Sequence, residues 1–165
     1  MVHFNYDVVG ATAPMVKEWA QTPAGFRRYE RTVVIGRGQT DWEYATGELL
    51  RWGVKTRSGF RVSPGGRAVE GKDYAITVGV GPLVVTEPVR VVSVEESDRC
   101  AIAYGTLDGH PVSGEEAFIV HRTADGTVLL TVRSLTRPTR TAPWNLLFPG
   151  LLIVQRVVRA RCPWP

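Results

Sequence analysis

Residues 100–135, CAIAYGTLDGHPVSGEEAFIVHRTADGTVLLTVRSL, hold the pattern that decides the fold. Cys100 to Leu107 and Glu115 to Arg122 predict two strands by their β-branched and aromatic content. Asp125-Gly126 predicts a hairpin turn into a further strand over Thr127 to Leu135, because glycine adopts positive φ without steric cost. Strands joined by such short connections pair antiparallel, since parallel neighbours need long crossovers. The segment therefore predicts the centre of an antiparallel sheet.

More strands are predicted upstream. Tyr74 to Val80 alternates large apolar residues with small or polar ones, which is typical of a half-buried strand. Glu87 to Glu95 predicts a second strand, in which Pro88 indicates an edge or the start of a strand because proline lacks an N–H. Arg31 to Ile35 predicts the first strand of the chain.

Two helices are predicted in the first third of the chain. Thr40 lies three residues before Glu43, the spacing of a capping box, and predicts a helix from Thr40 to near Gly53. A short helix is also predicted over residues 14–21. The apolar face of the capped helix consists of Trp42, Ala45 and Leu49.

A terminal helix completes the expected architecture. Leu151, Val154 and Val158 form an apolar stripe that matches the apolar face of the predicted sheet. We therefore expect an α+β helix-grip fold, in which a curved antiparallel sheet wraps around a long C-terminal helix. Residues 1–165 are expected to form one domain with a cavity between sheet and helix, lined by alternate strand residues.

Composition excludes several classes of protein. The net charge is +4, from 20 Lys plus Arg and 16 Asp plus Glu, and the arginines are spread along the chain rather than gathered in a stripe. We therefore expect no nucleic-acid partner. No apolar run approaches the roughly 20 residues of a membrane span, and the N-terminus lacks a signal-peptide pattern, so we expect a cytoplasmic protein. The 2 cysteines and 3 histidines lack ligand spacing, and neither a metal nor a cofactor is predicted.

The stretch YGTLDGHPVSGEEAF, residues 104–118, carries a family resemblance. With FNY at 4–6, VGAT at 9–12, GRG at 36–38, Trp52 and RVV at 90–92, it resembles the domain-of-unknown-function family numbered nineteen-ninety, found in bacteria and plants. The resemblance covers nearly the whole chain. It implies a START-like, polyketide-cyclase-like fold and no established activity. Asp108 and Val112 depart from the family pattern, which suggests a specialised substrate, as in secondary-metabolite biosynthesis.

The same stretch supplies the candidate catalytic residues Tyr104, His110, Glu115 and Glu116. His110 titrates near neutral pH, and a carboxylate buried in a cavity exchanges protons near pH 7 because desolvation raises its pKa. Glu115 and Glu116 are adjacent, so on a strand at most one of them faces the cavity. The alternative for His110 is a loop clamp bonded to a backbone carbonyl. For the glutamates it is one solvated side chain and one paired with Arg90 or Arg133.

Aromatic residues and one arginine are candidates for ligand contact. For the tryptophans the alternative is core packing. The candidates are Trp52, Tyr74, Arg90, Phe118 and Trp144.

Three functions remain open at this point. The first is binding of a hydrophobic small molecule, as a carrier or sensor. The second is a cofactor-independent enzyme, a cyclase, isomerase or dehydratase that uses acid–base groups at the cavity. The third is a surface interaction domain, for which the basic charge is the main support.

Overall fold

The structure, a computed structural model, describes residues 2–80 and 82–138. Seven strands and two helices follow one another in this part of the chain. In chain order they are β1 (Arg27–Arg37), α1 (Gly38–Leu49), α2 (Gly53–Arg57), β2 (Arg61–Ser63), β3 (Asp73–Val80), β4 (Leu83–Glu95), β5 (Arg99–Thr106), β6 (Val112–Arg122) and β7 (Thr127–Pro138). All strands join one sheet in the order β1-β7-β6-β5-β4-β3-β2.

Every neighbouring pair in this sheet is antiparallel, as the short connections predict. The hairpin at Asp125-Gly126 is confirmed, and Gly126 takes a φ of 83°. Pro88 lies on an interior strand, but pairing of β4 with β5 begins only at Val89, so the preceding half of β4 is locally an edge. The sequence reading missed β2, whose three residues are too short to show a period.

The capping box predicted at Thr40 and Glu43 is wrong. The helix begins at Gly38, and the N-cap position is Arg37, whose backbone N–H donates to the Asp41 carboxylate at 2.7 Å. Glu43 accepts from the side chain of Gln39 instead, at 2.7 Å. The first-turn carboxylate of Asp41 therefore accepts a backbone N–H at the start of the helix, where the helix dipole favours negative charge.

The helix predicted to reach Gly53 ends at Leu49, and a second short helix follows. Trp52 separates them with a φ of 65°, a left-handed conformation that bulky residues rarely adopt. A Cβ at Gly53 would lie 2.8 Å from the carbonyl oxygen of Glu48, so this corner requires glycine. The sharp turn redirects the chain so that α2 presents Lys55 to the sheet.

The helix predicted over residues 14–21 is also wrong, because this segment consists of turns and bends. The guanidinium of Arg133, fully buried on β7, donates to the carbonyl oxygens of Ala13 and Lys17 at 2.6 and 3.1 Å. The Ala13 carbonyl also accepts from the backbone N–H of Val16 at 3.0 Å, the three-residue spacing of a turn rather than the four-residue spacing of an α-helix. Residues 4–26, termed the strap, are thereby tied across the sheet.

The two faces of the sheet have different covers. The helix face carries α1, α2 and the main apolar core. The strap face is covered by residues 4–26 through a smaller apolar cluster of Tyr6, Trp19, Phe26 and Leu135. The core on the helix face includes Leu49, Tyr74, Ile76, Val89, Ile102, Phe118 and Leu130. The helix predicted over 151–158 lies outside the described residues.

Candidate functional site

A buried lysine lies at the centre of the helix face. Lys55, on α2, is 2% exposed, and its Nζ lies 2.9 Å from Oε2 of Glu116 on β6. The ammonium also lies over the rings of Phe60, Tyr104 and Phe118, with centroid distances of 5.1, 5.2 and 5.7 Å. Aromatic faces attract a cation, so these rings stabilise the charge of the buried lysine.

Tyr104 and Glu116 lie directly opposite each other on β5 and β6. The Tyr104 hydroxyl donates to Oε2 of Glu116, the same oxygen that contacts Lys55. Burial, and then the charge of Glu116, raise the pKa of Tyr104 well above its usual value. The tyrosine therefore stays protonated and acts as a hydrogen-bond donor.

A second glutamate faces the same group. Glu87, on β4, is 3% exposed. Burial raises its pKa, the nearby charge of Glu116 adds to this, and Lys55 opposes it. The four side chains of Lys55, Glu87, Tyr104 and Glu116 are termed the Lys55 cluster.

Three polar atoms around this cluster have no hydrogen-bond partner among the residues that the structure describes. They are Nε1 of Trp52, Oε1 of Glu87 and Oε1 of Glu116. Buried polar groups in folded proteins nearly always have a partner, and leaving one without costs roughly 1–3 kcal/mol. One donor and two acceptors are therefore available to a molecule bound at the helix face.

Glu115 lies on the opposite face and has a different environment. Its carboxylate accepts hydrogen bonds from the Tyr6 hydroxyl at 2.8 Å and from the backbone N–H groups of Gly10 and Thr12 at 2.6 and 3.0 Å. The Thr12 hydroxyl donates to it as well. Both oxygens are satisfied by the strap. Glu115 therefore holds residues 4–26 against the sheet and does not face the Lys55 cluster.

His110 lies in the loop between β5 and β6. Its Nδ1 lies 2.9 Å from the carbonyl oxygen of Val112 and 3.1 Å from the backbone nitrogen of the same residue. Burial lowers the pKa of His110 to about 4, so the ring is neutral at pH 7. This is the geometry of the loop clamp that the sequence left open.

The structure separates the predicted ligand-contact residues into two groups. The Trp52 ring lies 4.9 Å from Tyr74 and 5.5 Å from Tyr104 between centroids, and Tyr104 lies 6.2 Å from Phe118. These rings form an aromatic arc beside the Lys55 cluster. Arg90 is not part of it, since its guanidinium pairs with Asp73 at 2.5 Å. Trp144 lies outside the described residues.

Sequence reasoning missed Lys55 and Glu87. A signal for Glu87 existed, because it shares the strand period of two with Val89 and Val91, both of which face the core. Lys55 follows the left-handed turn at Trp52, and no periodicity predicts that conformation. Pairing of the two predicted residues Tyr104 and Glu116 follows from the strand register, which sequence alone left unspecified.

Two negative findings apply to residues 2–80 and 82–138. No group of three or more His, Cys, Asp or Glu side chains in that part of the chain could hold a metal ion. No helix there is long and apolar enough to cross a membrane.

Solved structures of similar fold indicate the fold class of this chain. A major latex-like protein of Panax ginseng shares 12% sequence identity with a TM-score of 0.57, covering 81% of this chain and 93% of that one. A Thalictrum norcoclaurine synthase in complex with a transition-state analogue shares 10% identity with a TM-score of 0.56, covering 84% and 94%. The fold is therefore of the START-like helix-grip class.

The family follows from the sequence match. Residues 5–163 match the family described as a domain of unknown function, DUF1990, and the chain belongs to this family. A UPF0548 protein of Arabidopsis thaliana is 28% identical over 148 residues, which cover 82% of this chain and 72% of the plant protein.

Proposed function

We propose that this protein binds a small molecule with an apolar skeleton against the helix face of its sheet, as a carrier or sensor. The polar group of the ligand contacts the Lys55 cluster. The observation that carries the proposal is a set of three buried polar atoms that have no partner in the described part of the chain and lie beside an aromatic arc.

Ligand sites in proteins combine apolar and aromatic walls with a few well-placed polar groups. The helix face has this composition, with the rings of Trp52, Tyr74 and Phe118 around the charged centre. A bound molecule that pairs with Trp52 Nε1 and the free glutamate oxygens would remove their desolvation cost. On the strap face, both oxygens of the buried Glu115 already accept hydrogen bonds from residues 4–26.

The likeness to solved structures supports this proposal by analogy of fold. The Thalictrum synthase was solved with a bound transition-state analogue, so the same architecture accommodates a small molecule in that protein. A shared fold does not imply a shared ligand, so the ligand of this chain is set by its own residues on the helix face.

The test is extraction of ligand from protein purified from the native host, followed by mass spectrometry. Wild type is compared with Glu116→Gln, which alters the cluster, and with Glu18→Gln, an exposed control. We expect one compound to be enriched in wild type and control and depleted in Glu116→Gln. Equal recovery from all three proteins, or no enrichment in any, would contradict the proposal.

A second candidate function is acid–base catalysis without a cofactor, as in an isomerase, cyclase or dehydratase. The favouring observation is the convergence of Tyr104, Glu116 and Lys55 on one oxygen atom, with Glu87 beside them. Glu87 would exchange a proton with the substrate, while Tyr104 and Lys55 would stabilise charge that develops on an oxygen. Glu115 and His110 have no direct role in this scheme.

Hydrogen exchange on the extracted compound distinguishes the two candidates. The compound is incubated with the protein in D₂O and analysed by mass spectrometry. A catalyst would introduce deuterium or convert the compound, and Glu87→Gln would lower that rate by about 10²–10⁴. Recovery of the compound unchanged and unlabelled would leave carrier or sensor as the function.

A further inference from the structure

The Lys55 cluster contains more carboxyl groups than cations. Lys55 contacts Glu116 directly, and the Tyr104 hydroxyl donates to the same glutamate oxygen. Glu116 is therefore neutralised by the lysine. Among the residues that the structure describes, no cation pairs with Glu87, although its exposure is only 3%. Burying a carboxylate without a counter-charge costs free energy, so Glu87 is expected either to bind a proton or to pair with a cation.

The surroundings of Glu87 supply no second cation in the described part of the chain. The titratable groups that act on it are Lys55 from α2 and Glu116 from β6, and Tyr104 from β5 senses its charge. Its partner on β3 is Ile76, which carries no charge. His110 is neutral at pH 7 because its pKa lies at about 4.

The buried polar atoms without partners among the described residues also indicate which chemical group would bind at the cluster. Oε1 of Glu87 and Oε1 of Glu116 are both acceptors, so they require N–H or O–H donors. A protonated amine offers up to three donors and one positive charge. The Trp52 ring beside Tyr104 adds an aromatic face that attracts a cation. Nε1 of Trp52 is a hydrogen-bond donor, so an acceptor such as an oxygen elsewhere in the ligand would satisfy it.

We propose that the ligand of the helix face carries a protonated amine, which bonds to Glu87 and Glu116 and balances the surplus carboxylate. This inference rests on the proposed function and specifies its ligand class. Without ligand, burial favours the protonated form of Glu87, since it raises the pKa of that group. Amine binding favours the ionised form. Binding is therefore coupled to release of a proton.

A matched series of probes tests the charge preference: 4-phenylbutylamine, 4-phenylbutanol and 4-phenylbutyrate share one skeleton and differ in the terminal group. We expect isothermal titration calorimetry to give the order amine, alcohol, carboxylate, with the amine at least about tenfold tighter than the alcohol. Calorimetry in two buffers of different ionisation enthalpy should show proton release with the amine and none with the alcohol.

Substitution then assigns the preference to residues. Glu87→Gln keeps the shape and one acceptor oxygen but removes the charge, so amine affinity should fall to that of the alcohol and proton release should disappear. Glu18→Gln should leave both unchanged. Near-ultraviolet circular dichroism confirms that each variant is folded.

The outcomes separate this inference from the proposed function. Binding of alcohol and amine with equal affinity, or tighter binding of the carboxylate, would overturn the amine while leaving a small-molecule site. Failure of all three probes to bind at millimolar concentration would also overturn it, and the extraction experiment would then decide the proposed function by itself. An amine preference that survives Glu87→Gln would contradict the assignment to Glu87.

Discussion

Glu115 and Glu116 are neighbours on β6, yet they belong to different parts of the molecule. Glu115 faces the strap, where the Tyr6 hydroxyl and the backbone of Gly10 and Thr12 satisfy its carboxylate. Glu116 faces the helices, where Lys55 and Tyr104 share one of its oxygens and the other has no partner in the described residues. Of two identical side chains, Glu115 thus has hydrogen-bond partners for both oxygens, whereas Glu116 has partners for only one among the described residues.

The difference shows that burial of a carboxylate does not by itself indicate whether that carboxylate stabilises the fold. Both glutamates are buried, with exposures of 2% and 9%. A carboxylate that accepts several hydrogen bonds holds its surroundings in place, and its loss affects folding. A carboxylate with a free oxygen beside a buried lysine is a poor stabiliser, because desolvation offsets much of the attraction. The strap face is therefore structural, whereas the helix face is where we propose that the ligand binds.

Replacing Glu115 by alanine should give the largest loss of stability. The substitution leaves the Tyr6 hydroxyl and the N–H groups of Gly10 and Thr12 without an acceptor. We expect the free energy of unfolding in urea to fall by roughly 3–5 kcal/mol. Glu115→Gln, which keeps one acceptor oxygen, should lose less. If alanine cost less than about 1 kcal/mol, the strap would not depend on this contact.

Replacing Lys55 alone by methionine should have the next largest effect. The change keeps the length of the side chain but leaves Glu116 and Glu87 without a cation. We expect a loss of roughly 2–4 kcal/mol at pH 8. The loss should shrink toward pH 5, because Glu87, whose pKa is raised by burial, then binds a proton more readily. A loss that is equal at both pH values would show that the lysine acts through packing rather than charge.

Replacing Glu87 by glutamine should raise stability by a small amount at high pH. Burial raises the folded-state pKa of Glu87 above the ordinary value of 4.5, so the folded chain binds this proton more tightly than the unfolded chain. Wild type therefore loses stability as pH rises from 4.5 through the folded-state pKa, and glutamine does not titrate.

The measurement is the urea midpoint of wild type and variant as a function of pH. We expect the variant to gain roughly 1 kcal/mol relative to wild type above this window, with the gain absent at pH 4. Glu18→Gln serves as the exposed control. A variant that becomes less stable at every pH would contradict the surplus carboxylate.

The sheet was predictable from sequence because its strands follow a period of two with short turns, as between β6 and β7. The strap was not, because its conformation depends on Arg133 and Glu115, contacts more than 100 positions away in the chain. The candidate site was predictable only in part. Tyr104 and Glu116 lie in the quoted motif, whereas Lys55 depends on a left-handed tryptophan that no local pattern indicates.

The most direct test of the distinction between the two faces replaces the whole Lys55 cluster by apolar residues of similar volume. The variant combines Lys55→Met, Glu87→Met, Tyr104→Phe and Glu116→Met, and its free energy of unfolding and retained small molecule are measured beside wild type. Apolar replacement of a buried ion cluster is often neutral or stabilising by about 1–4 kcal/mol. The account predicts a variant at least as stable as wild type that no longer retains the native-host ligand. A variant that is less stable by more than about 2 kcal/mol and retains the ligand as wild type does would contradict it.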